Sequence, residues 1–144
     1  MGIRWQFDQS EVNWNELSEL YRIAPLGIKP PADLEVAFTN SMFKCFIYDG
    51  DLLVGAGRGL ADGRDCSYLC DVAVRPEYQG RGLGKAIIQE LVRRSEGHKK
   101  IILYTNPRNT GFYARLGFKK LNTAMAIFQN AAEMLANGTI SEPS

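Results

Sequence analysis

The chain has 144 residues, of which 45% are apolar and 23% charged, and its 17 Lys and Arg against 16 Asp and Glu leave a net charge near +1. This length suits one buried core, and this composition is that of a folded globular chain, not a disordered one. Near neutrality excludes a general attraction to nucleic acid or to an anionic membrane, so any phosphate binding has to be local. Cys45, Cys66 and Cys70 form no CxxC pair and share the chain with one histidine, which argues against a metal site or a disulfide framework and for a reducing compartment. No apolar run is long enough for a signal peptide or a membrane span. The expectation is a single cytoplasmic domain over residues 1–144.

In chain order, Asn13 and Glu16 form a plausible capping pair, and Leu17, Leu20, Tyr21 and Ala24 recur at helical spacing, predicting a helix over 13–24. The segment from Pro25 to Pro31 cannot continue it, and Pro31 then opens a second amphipathic helix carrying Leu34, Ala37 and Phe38. Asp49-Gly50-Asp51 between two β-rich runs predicts a hairpin. The run SYLCDVAV ends at Arg75-Pro76 and reads as a third core strand, and Leu83, Ile87 and Leu91 mark the buried face of a helix over about 82–95. Ile101 to Thr105 reads as a strand parallel to SYLCDVAV, because a helix crossover joins them. Asn109 can cap a short helix that Gly117 ends, Phe118 to Phe128 offers one more strand, and a last helix stops at Gly138. The order ααββ followed by βαβαβ makes a mixed α/β domain.

Between the third strand and its helix lies QGRGLG, Gln79 to Gly84. A glycine-rich turn lets backbone N–H groups converge above the positive end of a helix dipole, which makes an anion site. Gly80, Gly82 and Gly84 give the backbone freedom, Gln79 can brace the loop, and Arg81 and Lys85 add local charge. A dinucleotide fold expects GxGxxG with an acidic residue about 20 positions on at the next strand's end, where this chain has Tyr104-Thr105. A Walker loop needs a hydroxyl after GK, where this chain has Ala86.

Two blocks, DVAVRPEYQGRGLGKAIIQELV and NTGFYARLGF, resemble the GNAT superfamily of acyl-CoA N-acetyltransferases. Gln79, Gly82 and Gly84 match the family's acetyl-CoA motif, and Asn109, Phe112, Tyr113, Leu116, Gly117 and Phe118 match its asparagine, FY and LGF pattern. The pattern is most similar to that of small single-domain arylalkylamine (serotonin-type) enzymes of bacteria and plastids. The resemblance implies a GNAT fold: a mixed central sheet with a splayed parallel strand pair, flanked by helices. It implies that Val72, Ala73 and Val74 pair with the pantetheine of acetyl-CoA, and that Gln79, Gly80, Arg81, Gly82, Leu83, Gly84 and Lys85 hold its pyrophosphate. Asn109 and Phe112 would line the pantetheine side, and Tyr113 would stand by the sulfur.

Direct attack by a neutral amine then needs an oxyanion donor, for which a backbone N–H near Val72 serves, and a proton for the thiolate, which Tyr113 can give. The general base is less legible. Asp71 is the only carboxylate within the third strand, but alternation aims it away from Tyr68 and Cys70; Asp71 stands as a candidate for a direct catalytic or substrate-orienting role, and Tyr68 as a catalytic candidate that holds water. His98, in the polar run GHKK, reads as a solvated loop residue. The expected partner is a small-molecule amine, with no nucleic acid, membrane or metal, and an edge strand near the C terminus allows a homodimer. Two rivals remain open: a non-catalytic acyl-CoA-binding regulatory domain, and an acetyltransferase acting on protein or peptide amino groups.

Overall fold

Asn13 starts the first helix, α1 (Trp14–Ile23), by accepting hydrogen bonds from the N–H groups of Asn15 and Glu16 at 3.0 and 3.1 Å. Glu16 does not close the capping box. Its carboxylate accepts from the Leu53 N–H at 2.9 Å instead, tying the helix to the sheet. Pro31 sits in the first turn of α2 (Pro31–Thr39), where its missing N–H loses no helical bond. The computed structural model describes residues 2–143, which fall into two compact units, Met1–Leu103 and Tyr104–Ser144.

The first unit holds a five-stranded sheet in the order β1-β2-β3-β4-β5: β1 (Ile3–Gln6), β2 (Phe43–Asp49), β3 (Leu52–Ala61), β4 (Cys66–Val74) and β5 (Lys100–Ile102). All pairs are antiparallel except β4 with β5. Against one face lie α1 and α2, where Leu17, Leu20, Tyr21, Leu34 and Phe38 bury with Phe46, Leu53, Ala56 and Ala73. On the other lies α3 (Leu83–Arg94), seated so closely that a Cβ at Gly57 would stand 2.7 Å from Ile87 Cγ2. Glycine at 57 is therefore what lets the helix approach the sheet. A buried pair of hydroxyls, Ser67 and Ser95 at 2.8 Å, fastens β4 to the C-terminal end of α3.

Two expectations change, and one strand carries no signal in the sequence. The edge strand β1 has too few residues to announce itself and exists through its pairing with β2. The parallel strand expected over 101–105 is short, Lys100–Ile102, and pairs only with Cys66, Ser67 and Tyr68. Phe118 to Phe128 forms no strand; Met125 and Ile127 there are 87% and 103% exposed, so the run has neither a ladder nor a core to hold it. The second unit is built instead from α4 (Thr110–Arg115), α5 (Ala131–Ala136) and connecting turns. Among the described residues no helix is long and apolar enough to cross a membrane.

Candidate active site

Because β5 stops pairing at Tyr68, β4 from Leu69 to Val74 has no strand beside it on that edge among the described residues. The sheet's own bonding shows what the open edge presents. Arg75 N–H donates to Val54 C=O at 2.8 Å, toward β3. Antiparallel strands alternate inward and outward groups, so the N–H and C=O of Val74 turn to the open edge. The carbonyl of Val74 confirms the sense, since it accepts from the Gln79 side chain at 3.0 Å.

Between Cys70 and Ala73 the ladder slips, two residues of β4, Asp71 and Val72, standing opposite Gly57. Asp71 takes φ +56, a left-handed conformation normally left to glycine and tolerated by aspartate. This bulge overturns the expectation from simple alternation. Asp71 does not point away from Cys70: its carboxylate meets Arg58 Nε at 2.8 Å, and Arg58 is the cross-strand partner of Cys70. The extra residue re-aims the side chain to the α1 and α2 face. There Lys29, from the loop between the helices, approaches the other oxygen at 3.4 Å, and Arg58 also donates to Ser41 Oγ at 3.2 Å. Both Asp71 oxygens are engaged by cations, which fixes the bulge and tethers the loop. The Tyr21 hydroxyl donates to the Asp71 carbonyl at 2.6 Å. Burial, and after it the Asp71 charge, holds the Tyr21 phenol well above its ordinary range, so it stays a donor.

Tyr68 and Cys70 share the face opposite Ser67 and Leu69, as alternation requires up to the bulge. Burial pushes the Cys70 thiol up to about 11, with Arg58 opposing, so at neutral pH it is a thiol and no nucleophile.

After β4 the chain makes a 3-10 turn at Pro76–Tyr78 and enters QGRGLG. Gln79 braces the loop as anticipated, through Val74 C=O, which ties the glycine turn to the open edge. Gly80 and Gly82 have φ +80 and +82. Gly82 is the N-cap of α3 and brings no capping side chain, so the first-turn N–H groups of Leu83, Gly84 and Lys85 lack a side-chain acceptor. That leaves donors, helix dipole and the cations Arg81 and Lys85 to an anion. Arg81 lies over the Tyr78 ring at 4.8 Å, and Tyr78 is fixed by its bond to Asp49 at 2.5 Å.

In the second unit, Tyr113 of α4 is half-buried, its ring edge-on to Phe112 at 5.0 Å and Phe118 at 5.9 Å. Burial raises its phenol above 10, opposed by a hydrogen bond with Thr105, so it keeps a proton to give. Asn109 stands at the N-cap of α4 without making a cap bond; Asn106 does the local capping, accepting from Arg108 N–H at 2.9 Å. His98 is a partly exposed loop residue as expected, but it is held in place: Nε2 accepts from Gly63 N–H at 3.0 Å and Nδ1 lies 2.9 Å from Ser95 C=O, stapling the β3–β4 turn.

Tyr21, Arg58 and Lys29 were not anticipated at the site. Tyr21 reads in sequence as one more apolar position of α1, and the other two carry no motif; only the bulge brings the three to one residue.

Residues 10–118 match the model of the Acetyltransferase (GNAT) family. An uncharacterized N-acetyltransferase, ycf52, of Pyropia yezoensis is 30% identical over 76% of this chain and 66% of its own length. The chloroplastic serotonin N-acetyltransferase 2 of Oryza sativa subsp. japonica is 43% identical over 45% of this chain and 34% of its own. The chain thus spans about one to two thirds of the length of these relatives. A GNAT family acetyltransferase of Streptococcus pneumoniae superposes with a TM-score of 0.76 at 27% identity, over 90% of this chain and 98% of that one. With the open β4 edge and the glycine turn in place, the family match over residues 10–118 establishes that the chain belongs to the GNAT acetyltransferase family.

Proposed function

We propose that the protein is an acetyl-CoA-dependent N-acetyltransferase that acetylates a primary amine by direct attack in a ternary complex. The observation that carries this reading is the continuity of two binding elements: the open backbone edge of β4 at Val72 to Val74, and the unfilled N-terminal turn of α3, joined by the Gln79 bond to Val74. A pantetheine arm pairs with such an edge as an added strand, and a pyrophosphate suits such a helix end.

In the reaction the neutral amine nitrogen attacks the thioester carbon. The carbonyl pair moves onto oxygen, where the Val72 N–H receives the oxyanion. Collapse breaks the C–S bond, and the thiolate takes the proton of Tyr113, which is restored from solvent. The amine's own proton leaves through water, since Asp71 is engaged by Arg58 and Lys29. Tyr68, beside Cys70 on β4, is the group that would hold that water. The acceptor we favour is a small arylalkylamine, on the similarity to the plant serotonin N-acetyltransferase and on the apolar Leu26 and Ile28 of the α1–α2 loop, which are 40% and 80% exposed.

A panel of arylalkylamines, diamines, amino sugars and peptides, read by thiol release and by mass spectrometry of the acetylated amine, tests this. Turnover of an arylalkylamine above the other classes is the expected result. Binding of acetyl-CoA without product from any amine would favour a regulatory acyl-CoA-binding domain.

A further inference from the structure

The Asp71–Val72 peptide is a rigid plane, with the Asp71 carbonyl on one side and the Val72 N–H pointing oppositely on the other. In the β3–β4 register Asp71 has no partner residue to take up this carbonyl. Here the left-handed Asp71 turns it out of the ladder, and the Tyr21 hydroxyl receives it at 2.6 Å. Tyr21 is fully buried in the α1–α2 cluster, so this bond is made without competition from water. Arg58 and Lys29 hold the side chain of the same residue. A peptide so fixed cannot swing, and a donor to its carbonyl also polarises its N–H.

We propose that Tyr21 is a positioning residue for acetyl transfer: its hydroxyl, bound to the Asp71 carbonyl, fixes and polarises the Asp71–Val72 peptide so that Val72 N–H faces the thioester oxygen. This rests on the reading of Val72 as the oxyanion donor. Tyr21 touches neither substrate; it acts through the peptide.

Tyr21→Phe removes only the hydroxyl. Complete loss of an oxyanion donor lowers kcat by ~10²–10³, and a donor that stays but is mis-aimed loses part of this, so kcat should fall about tenfold. The KM for acetyl-CoA should stay within about twofold, because the interaction grows in the transition state. Acetyl-CoA hydrolysis, which forms the same oxyanion with water as acceptor, gives a readout independent of the amine. Tyr48→Phe is the control, since Tyr48 is buried in the same cluster and its hydroxyl has no hydrogen-bond partner among the described residues. It should leave kcat unchanged.

A nitrogen–proton correlation spectrum of the full chain reads the peptide directly. In Tyr21→Phe the Val72 amide proton should move upfield while resonances of β1 and α3 stay in place. If Val72 does not move and kcat is unchanged, the proposal is overturned. If Val72 moves and kcat is unchanged, it is overturned too, and the fault lies in Val72 as the donor rather than in the hydrogen bond. Equal losses of kcat in Tyr21→Phe and Tyr48→Phe would also overturn it, showing a packing effect.

Discussion

Replacing Asp71 by alanine removes two things: the anion between Arg58 and Lys29, and a side chain that tolerates left-handed backbone. The Arg58 and Asp71 side chains are 16% and 15% exposed, so Arg58 would lose its partner with little water to replace it. Breaking a fully buried pair costs ~3–5 kcal/mol; partial exposure reduces this to about 2–3 kcal/mol. The Ser41 hydroxyl, 3.2 Å from Arg58, softens it further. Alanine at φ +56 adds about 1 kcal/mol that asparagine largely avoids. Asp71→Ala should therefore lose about 3–4 kcal/mol and Asp71→Asn about 2–3 kcal/mol. In a chain of this size those are roughly 10 °C and 7 °C of Tm. Urea denaturation at neutral pH with linear extrapolation measures both, and Arg58→Met completes a double-mutant cycle that should show positive coupling of about 1 kcal/mol or more. Losses below about 0.5 kcal/mol for both variants would refute the view that this pair holds the bulge. Equal losses for alanine and asparagine would refute the strain contribution.

Tyr113→Phe should reduce turnover by roughly 10²-fold with little change in acetyl-CoA affinity, seen by steady-state thiol release beside calorimetric titration. Since burial raises this phenol above 10, any alkaline loss of kcat set by its deprotonation should lie above pH 10 and vanish in the variant. Gly82→Val should weaken acetyl-CoA binding about tenfold through backbone conformation, because a Cβ there meets nothing within 4 Å, while Gly82→Asn should recover most of it. Burial pushes Cys70 from 9.0 to about 11 and Cys45 to about 12, so the folded chain keeps protons that the unfolded chain releases. Their contribution is intact below about pH 9 and is lost as the pH rises through 9 to 12. Denaturation midpoints across that range should fall, and Cys70→Ala should flatten the part up to about 11.

The elements with local signals were legible in the sequence. The Asp49-Gly50 turn, the Asn13 cap, Pro31 and the apolar face of α3 each depend on residues a few positions apart, so their physics is written in short windows. The glycine loop was legible for the same reason. What depends on distant partners was not. β1 is a strand only because β2 lies beside it, and Phe118 to Phe128 has strand-like composition but nothing to pair with. The bulge at Asp71 is the feature the sequence conceals most completely, because alternation assumes an unbroken ladder and a non-glycine residue gives no sign of a positive φ. It inverted the expected direction of Asp71 and concealed Tyr21, Arg58 and Lys29.

In the proposed function one continuous surface, from the open edge of β4 through the first turn of α3, holds acetyl-CoA. Titrating acetyl-CoA into the isotope-labelled chain and following backbone amides tests it most directly. Saturable shifts concentrated at Val72, Val74 and Gly80 to Lys85, larger than those in β1 and β2, are the expected result. Saturable binding with shifts elsewhere, or no binding at all, would contradict it.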